Sequence, residues 1–578
     1  MKQLRTFLAP AINQASLLLI ASLPALALTA FGLYQLQVTS PGVWIYTLLM
    51  RGVVEFAFLG LCLSVLNALG LKNKWVLAIL LYIYYLATTA DFVLMWYFKE
   101  RFGAKYLDTL QGGDYNFLTD WRILSYLILF LLFCIGSVRR WFTPQPRRAA
   151  WHQAGICALV LLLLTLVNPF VFLTKPNDFF ARYLLPPSPV YTISQLMATP
   201  ITAHVTNTLP TDVAATAEQY NVFNAKNTGI GKNYTRVILI ASESLSAKYM
   251  HRFNPLIPAE ASRGFDSLFE NYPSTTLKTV TLSTLYGLTV IFSSHPFAKL
   301  TYENGYPLSF VKVLQAHGFH TAFLRGAHED YMHENELFHQ AGFEVVRGWN
   351  FFAEQPEYAK YLDWWGMLDR KLFEYAADYL KEHQKEKTFL TLLTVDTHVP
   401  LGRADYLDLN YKEIDSQFYD VPTMPRAFAR TGQDLTYFLQ LLKQKNLLDA
   451  RTLILVTGDH PSYSNTPTNK LFKPYRDVFD RIPFAIITVP ALKKPLVTDT
   501  LASQLDVAPT VLDLMNLPQP KGFFGHSLFE ANAARSVFDI KEDYAVVTTE
   551  NGRQVFPLNS RRPADKKLID LMRTYWVD

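Results

Sequence analysis

Three apolar runs in this chain end in side chains that can bind a cation. RVILIASES delivers Glu243, FLTLLTVDTHVP delivers Asp396 and His398, and RTLILVTGDHPSY delivers Asp459 and His460. Carboxylate oxygens and imidazole nitrogens together suit a divalent cation such as Zn or Mn. Each residue alone also has an ordinary use, as a cap, a first-turn carboxylate or a histidine beside a proline turn. The joint reading is the stronger one, because the ordinary uses would need three coincidences at three strand ends. It requires the strands to be parallel, so that their C-terminal ends share one edge.

A second feature is the hydroxyl-rich run TTLKTVTLSTLYG at 275–287, which lies just before an apolar stretch. Thr and Ser in such a place most often cap a helix, because their oxygens accept from first-turn amides. A cation at the strand ends changes the balance. A Thr hydroxyl is a weak nucleophile until a metal favours its alkoxide, and a helix N-terminus is a natural seat for the phosphate it would attack.

From 235 onward, β-rich runs alternate with helical patterns. RVILIA, TAFLRG, FLTLLTV, RTLILVTG and PFAIITV read as strands, while FVKVLQAHG, RKLFEYAADYLKEH and LTYFLQLLKQKN read as helices. Continuous apolar runs are strands buried on both faces, and the alternation predicts an α/β domain with a mostly parallel central sheet over 233–578. The preceding 174–232, broken by Pro, reads as juxtamembrane helices and a linker.

Hydrophobicity is concentrated at the other end. Five apolar stretches, about 12–34, 43–66, 75–98, 122–138 and 155–173, are long enough or nearly so to span a bilayer, which predicts a five-helix transmembrane domain over 1–173. The first lacks a small-residue cleavage site and reads as an anchor. Lys2, Arg5, Lys72, Lys74, Arg139, Arg140, Arg147 and Arg148 fall on one side of these spans. The basic side is cytoplasmic, so the second half faces outward. All three cysteines lie in the expected spans, which leaves the exported half without a disulfide. A net charge of +5 over 578 residues gives no case for nucleic-acid binding. Arg51 and Glu55, four apart in the second stretch, read as an ion pair near the interface.

The constellation resembles the alkaline-phosphatase superfamily branch of membrane-anchored, sulfatase-like enzymes. This branch contains lipoteichoic acid synthases, phosphoglycerol transferases of envelope glucans and lipid A phosphoethanolamine transferases. The resemblance implies one divalent metal ion, Zn or Mn, on Glu243, Thr281, Asp459 and His460, with Thr281 as nucleophile. Thr281 has a second hydroxyl three residues later, at Thr284, as these transferases tend to show. Thr279, in a Lys-Thr pair that also occurs in the family, is the alternative nucleophile. The run SQLDVAPTVLDLMNL looks like the family's sulfatase-fold element before a helix.

The resemblance also narrows the reaction. The C/S-x-P-x-R signature of a classical sulfatase is missing from this half, and TGDHPSYSNTPTN lacks the extra metal-side residues of the phosphoethanolamine transferases. TVDTHVP looks like the Thr-His-x-Pro segment of phosphoglycerol transferases, which places His398 at the phosphate or leaving group. Lipoteichoic acid synthases carry a Trp and an Arg where this chain has Met332 and Glu334. Arg325 and His328 are the stand-ins nearby, and Asp396 joins them as a substrate-binding candidate. The expected activity is transfer of phosphoglycerol from phosphatidylglycerol to an envelope glycan or polymer, at the outer face of a bacterial cytoplasmic membrane. Phosphatidylethanolamine as donor is the alternative, with lipid A or another glycan as acceptor. A phosphodiester hydrolase and a non-catalytic envelope sensor are the further readings.

Overall fold

The computed structural model describes residues 41–98, 121–142, 146–167, 211–296, 305–330, 333–362, 366–398, 424–462, 472–497, 501–531, 533–540, 544–558 and 562–575, together with 15–20, 204–205 and a few single positions. The chain divides into two compact units, Met1–Thr199 and Pro200–Asp578.

The first unit is helical. Helices Pro41–Ala68, Lys74–Phe98, Trp121–Trp141 and Arg147–Val167 coincide with the second to fifth apolar stretches. Among the described residues no helix is long and apolar enough to cross a membrane. Most of the first stretch, 12–34, and the end of the fifth, 168–173, lie outside the described residues, as do 174–203 of the expected linker. Helix Thr211–Gln219, also within that linker, belongs to the second unit, where Val213 and Ala217 are buried in its C-terminal core.

The second unit is built on a seven-stranded sheet. In chain order its strands are β1 (Arg236–Ser242), β2 (Ser274–Lys278), β3 (His320–Arg325), β4 (Val345–Arg347), β5 (Thr388–Leu393), β6 (Thr452–Gly458) and β7 (Arg481–Thr488). Their spatial order is β2-β7-β6-β1-β5-β3-β4. Pairings from β6 across to β4 are all parallel, while β7 runs antiparallel to both β6 and β2. The expected mostly parallel sheet is therefore present, with PFAIITV as its reversed member.

Pleating explains why the central strands are largely apolar. Val237, Leu239 and Ala241 join one core with Phe323, Phe389 and Leu455, while Ile238 and Ile240 join another with Leu324, Leu390 and Ile454. Successive side chains alternate between faces, and both faces are covered. Helices Thr284–Ser293, Phe310–Ala316 and Val507–Leu514 cover the first; Ala259–Asn271, Asp369–Glu382 and Met424–Gln444 cover the second.

A small antiparallel sheet, β8 (Val537–Ile540), β9 (Tyr544–Thr549) and β10 (Gly552–Pro557), follows with helix Pro563–Arg573. Its core takes in Val280 and Val290, from either side of the start of helix Thr284–Ser293. His295, just past that helix, is buried against Phe524 and hydrogen-bonds through Nε2 to the Thr574 carbonyl at 2.9 Å. Burial pushes its pKa down to about 4.

This histidine makes the domain acid-sensitive in a defined window. Its folded pKa lies below the unfolded value, so the stability it contributes is present above about pH 6.5 and is lost as pH falls towards 4, by up to about 3 kcal/mol. The stability gap between wild type and His295→Gln, measured by denaturant unfolding, should narrow across that window. A gap that stays constant from pH 7 to 4 would count against the assignment.

Candidate active site

Register decides what meets at the C-terminal edge. Ala241 of β1 lies level with Leu393 of β5 and Thr457 of β6, and Leu393 lies level with Arg325 of β3. Residues just past these positions emerge side by side, about 4.8 Å apart from strand to strand. Glu243 and the Asp459-His460 pair sit on adjacent strands and come together. Asp396 and His398 follow on the next strand, with Arg325 and His328 one strand further.

Glu243, Asp459 and His460 are all buried, and one ligand atom from each lies within 4.8 Å of the others. His460 Nε2 is 3.4 Å from Glu243 Oε1 and 3.5 Å from Asp459 Oδ2. A fourth atom joins them. Thr284 Oγ1 donates to Glu243 Oε2 at 3.2 Å and stands 3.3 Å from His460 Nε2.

Hydrogen bonds orient the carboxylates. Asp459 Oδ1 accepts the amides of Ser244 and His460, both at 2.8 Å, while its Oδ2 is buried with no hydrogen-bond partner. Ser244 reaches that position with a left-handed backbone, φ 54°, and its hydroxyl donates to Glu243 Oε1 at 2.8 Å. Thr394 receives the Glu243 amide at 2.9 Å, and the Thr397 hydroxyl donates to the Glu243 carbonyl. β5 therefore buttresses the carboxylate supplied by β1.

These atoms fit a divalent cation. Four ligands on a tetrahedron with bonds of about 2.0–2.1 Å lie about 3.3–3.4 Å apart. Four contacts in the cluster, 3.2–3.5 Å long, come near that edge, with Glu243 using Oε2 towards Thr284 and Oε1 towards His460. Asp459 Oδ2 adds a second sign: buried and without a hydrogen bond, it relies on the positive charge of its surroundings, here the His460 imidazole 3.5 Å away.

Electrostatics agree. Burial would raise the Glu243 pKa, but His398, His460 and the Ser244 hydroxyl outweigh it and bring the carboxyl down to about 2. Burial and the Glu243 charge push Asp459 up to about 7. Burial lowers His460, yet Asp459 and Glu243 overcome it and raise the imidazole to about 9. A proton on His460 thus takes the place that a cation would fill.

The hydroxyl run separates into distinct roles. Thr276 Oγ1 accepts from Arg481, and Thr279 donates to the Asp480 carbonyl at 3.1 Å. Thr281 Oγ1 accepts the Ser283 amide at 3.3 Å, and Ser283, at the helix N-cap, makes no side-chain cap bond. The hydroxyl at the carboxylate–imidazole cluster belongs to Thr284, the first residue of the helix and three beyond Thr281.

Two residues fix that helix start. Gly287 packs so close that a Cβ there would lie 2.1 Å from the Asp459 carbonyl oxygen. Gln504 accepts the Val280 amide at 3.0 Å and donates to the same Asp459 carbonyl, bridging the threonine loop to β6. Gln504 comes from SQLDVAPTVLDLMNL, whose Ser503 and Asp506 form a capping box. Sequence reasoning singled out that run without assigning Gln504. The sequence signal for Thr284 was its place before the apolar run.

The remaining candidates stand apart from the four-atom cluster. His398 is near enough for its charge to lower the Glu243 pKa. Asp396 Oδ2 accepts the Asp369 amide at 3.2 Å, and Asp369 Oδ1 accepts the amides of Val395 and Asp396. The two buried carboxyls hold each other's backbone, and burial together with the Asp396 charge pushes Asp369 well up. Arg325 is buried in an ion pair with Glu334. His328 stacks on Trp349 at 4.5 Å, with Nδ1 3.2 Å from Asn350 Oδ1. Met332 lies outside the described residues.

Fold and site define a class: an α/β domain whose parallel strand ends assemble a carboxylate, an Asp-His pair and a helix-start hydroxyl. Residues 235–517, just under half of the chain, match the Sulfatase family model. The phosphoglycerol transferase I of Xanthomonas campestris pv. campestris is 24% identical over 225 residues, covering 39% of this chain and 31% of that protein. The lipoteichoic acid synthase of Staphylococcus saprophyticus is 22% identical over 210 residues, covering 35% and 31%. The chain thus spans about a third of the length of these curated relatives. Among solved structures, the lipoteichoic acid synthase LtaP of Listeria monocytogenes aligns with a TM-score of 0.47 and 18% identity, over 62% of this chain and 95% of that one. The resemblance read from the motifs is borne out.

Proton counts at the cluster give a test. Asp459 and His460 must lose protons before they can ligate, at about 7 and about 9, whereas Glu243 is ionised well below both. Zn or Mn affinity should rise steeply up to about pH 7, more gently to about 9 and then level off, with protons released on binding. Calorimetric titration in buffers of different ionisation enthalpy reads this directly. PH-independent affinity with no proton release would contradict the ligand set.

Proposed function

We propose that the protein is a metal-dependent phospho-alcohol transferase that moves phosphoglycerol from phosphatidylglycerol to an envelope glycan or polymer through a phosphothreonine-type intermediate. The observation that carries this reading is the approach of Thr284 Oγ1 to Glu243 and His460 beside the unpartnered Asp459 Oδ2. The matched Sulfatase segment and the names of the two curated relatives support the same class.

Glu243, Asp459, His460 and Thr284 would hold one Zn or Mn. When bound, that cation lowers the pKa of the Thr hydroxyl and neutralises charge on the phosphoryl oxygens. Thr284 is the nucleophile in preference to Thr281 or Thr279. Its place at the first turn of a helix aims the attacked phosphate at the helix N-terminus. Thr284, already deprotonated, forms the Oγ1–P bond as the P–O bond to the diglyceride breaks, and protonated His398 gives the departing oxygen its proton, so that Thr284 departs again as the alkoxide in the second half. In the second half the acceptor hydroxyl returns a proton to His398 and displaces Thr284.

Arg325, His328 and Asp396, on the two strands beyond Glu243, lie on the side where the alcohol or acceptor extends. Each is held by its own partner, and together they would form a supporting wall for that subsite. Five spanning helices in 1–173, a linker from 174 and an outward-facing catalytic domain on a bacterial cytoplasmic membrane complete the proposal. It is supported by the four helices over the apolar stretches and by the basic residues of their connecting segments. Anchoring keeps the site at the surface where a phospholipid donor presents its headgroup.

Peptide mass spectrometry after incubation with phosphatidylglycerol should find a phosphoglycerol adduct on Thr284. Thr284→Ala should abolish the adduct and lower transfer by about 10³-fold or more. Thr281→Ala should keep the adduct, with a smaller loss. An adduct on Thr281 or Thr279 would reassign the nucleophile, and a phosphoethanolamine adduct from the other lipid would change the donor. Full transfer by Thr284→Ala would remove the mechanism.

A further inference from the structure

Lys248 is fully buried, five residues past Glu243 in the loop that follows β1. A lysine ammonium out of water is costly unless something holds it. Here Nζ donates to the Ser462 carbonyl, 5.3 Å from the Tyr249 ring centroid and 6.0 Å from that of Phe479. Ser462 stands two residues past His460, so the lysine grips the far end of the Asp459-His460-Pro461 turn.

The same loop grips Ser462 a second time. Its amide donates to Ser246 Oγ at 2.5 Å and to the Ser244 carbonyl at 3.1 Å, and Ser246 Oγ donates back to the Ser244 carbonyl at 3.0 Å. The Lys248 backbone is fastened in turn, because Asn254 donates to its carbonyl at 2.8 Å. Two loops from adjacent strands are thereby clasped together, one carrying Glu243 and the other Asp459 and His460.

We infer that Lys248, with Ser246, is a positioning residue: it sets the separation between Glu243 and the Asp459-His460 pair, and through it the affinity and geometry of the metal centre. This role rests on the metal reading of the cluster. A charge-assisted bond in a low-dielectric setting is stiff and directional, which suits holding two ligand-bearing loops at fixed spacing. Groups behind the ligands commonly change metal affinity by about 10–100-fold when removed.

The test is Co(II) titration of the metal-stripped full chain, read by visible absorption and by thermal unfolding. Lys248→Met should raise the Kd about 10–100-fold and shift the d–d bands. Ser246→Ala, a milder change, should move both in the same direction and keeps the test decisive if the lysine variant does not fold. Arg236→Met is the control. Arg236 is another buried cation on a carbonyl, donating to Leu447 O at 2.8 Å, but it sits at the opposite edge of the sheet. It should lower the Tm while leaving cobalt Kd and spectrum unchanged. Wild-type Kd and bands in both Lys248→Met and Ser246→Ala would overturn the role, as would a change no larger than the control's. No cobalt uptake by the wild type would overturn the metal reading itself and this role with it.

Discussion

The site depends on how one carboxylate divides its two oxygens. Asp459 Oδ1 is taken by the amides of Ser244 and His460, from two different strands, and this leaves Oδ2 buried and unpartnered beside His460 Nε2. The first oxygen joins the loops and the second faces the cluster. The left-handed turn at Ser244 brings an amide to Asp459 while the same residue's hydroxyl orients Glu243. A non-glycine residue seldom adopts that conformation, and here the contacts on both sides hold it there.

The rest of the domain places that carboxylate where it can act. Parallel pairing of β6, β1 and β5 puts their C-terminal ends in one row, and cores on both faces stop the sheet from shifting. The helix carrying Thr284 belongs to a third packing system. Val280 and Val290 are buried in the C-terminal core with Phe538, Val547 and Met572. The small sheet thus helps hold the Thr284 segment from outside the main fold.

Much of this was legible in the sequence, and the part that was not has a physical cause. Glu243, Asp459 and His460 could be placed because parallel strands deliver their ends to one edge whatever the loops do. The hydroxyl run was harder, because β2 and the following loop contain several Thr residues with similar neighbours. Which one faces the cluster depends on where the helix begins, and Gly287 and Gln504 set that start from elements distant in sequence. Arg325 likewise sits at the expected edge, but its charge is met by Glu334, a partnership between a strand end and a later helix that spacing does not announce. PFAIITV read as one more member of the sheet because an apolar run carries no direction. The last sheet escaped notice because its strands are short and β10 is largely exposed.

The contact at Gly287 has a consequence for how such an enzyme can change. With the helix resting on the Asp459 carbonyl where no side chain fits, the Thr284 hydroxyl has no freedom to slide along the helix axis. The position of that hydroxyl is thus set by backbone packing at Gly287 more than by any side chain. On the proposed mechanism, variation in acceptor falls to the flank formed by β5, β3 and their loops. Diversity in what is made and constancy in how it is made would then belong to opposite sides of a single strand, β1.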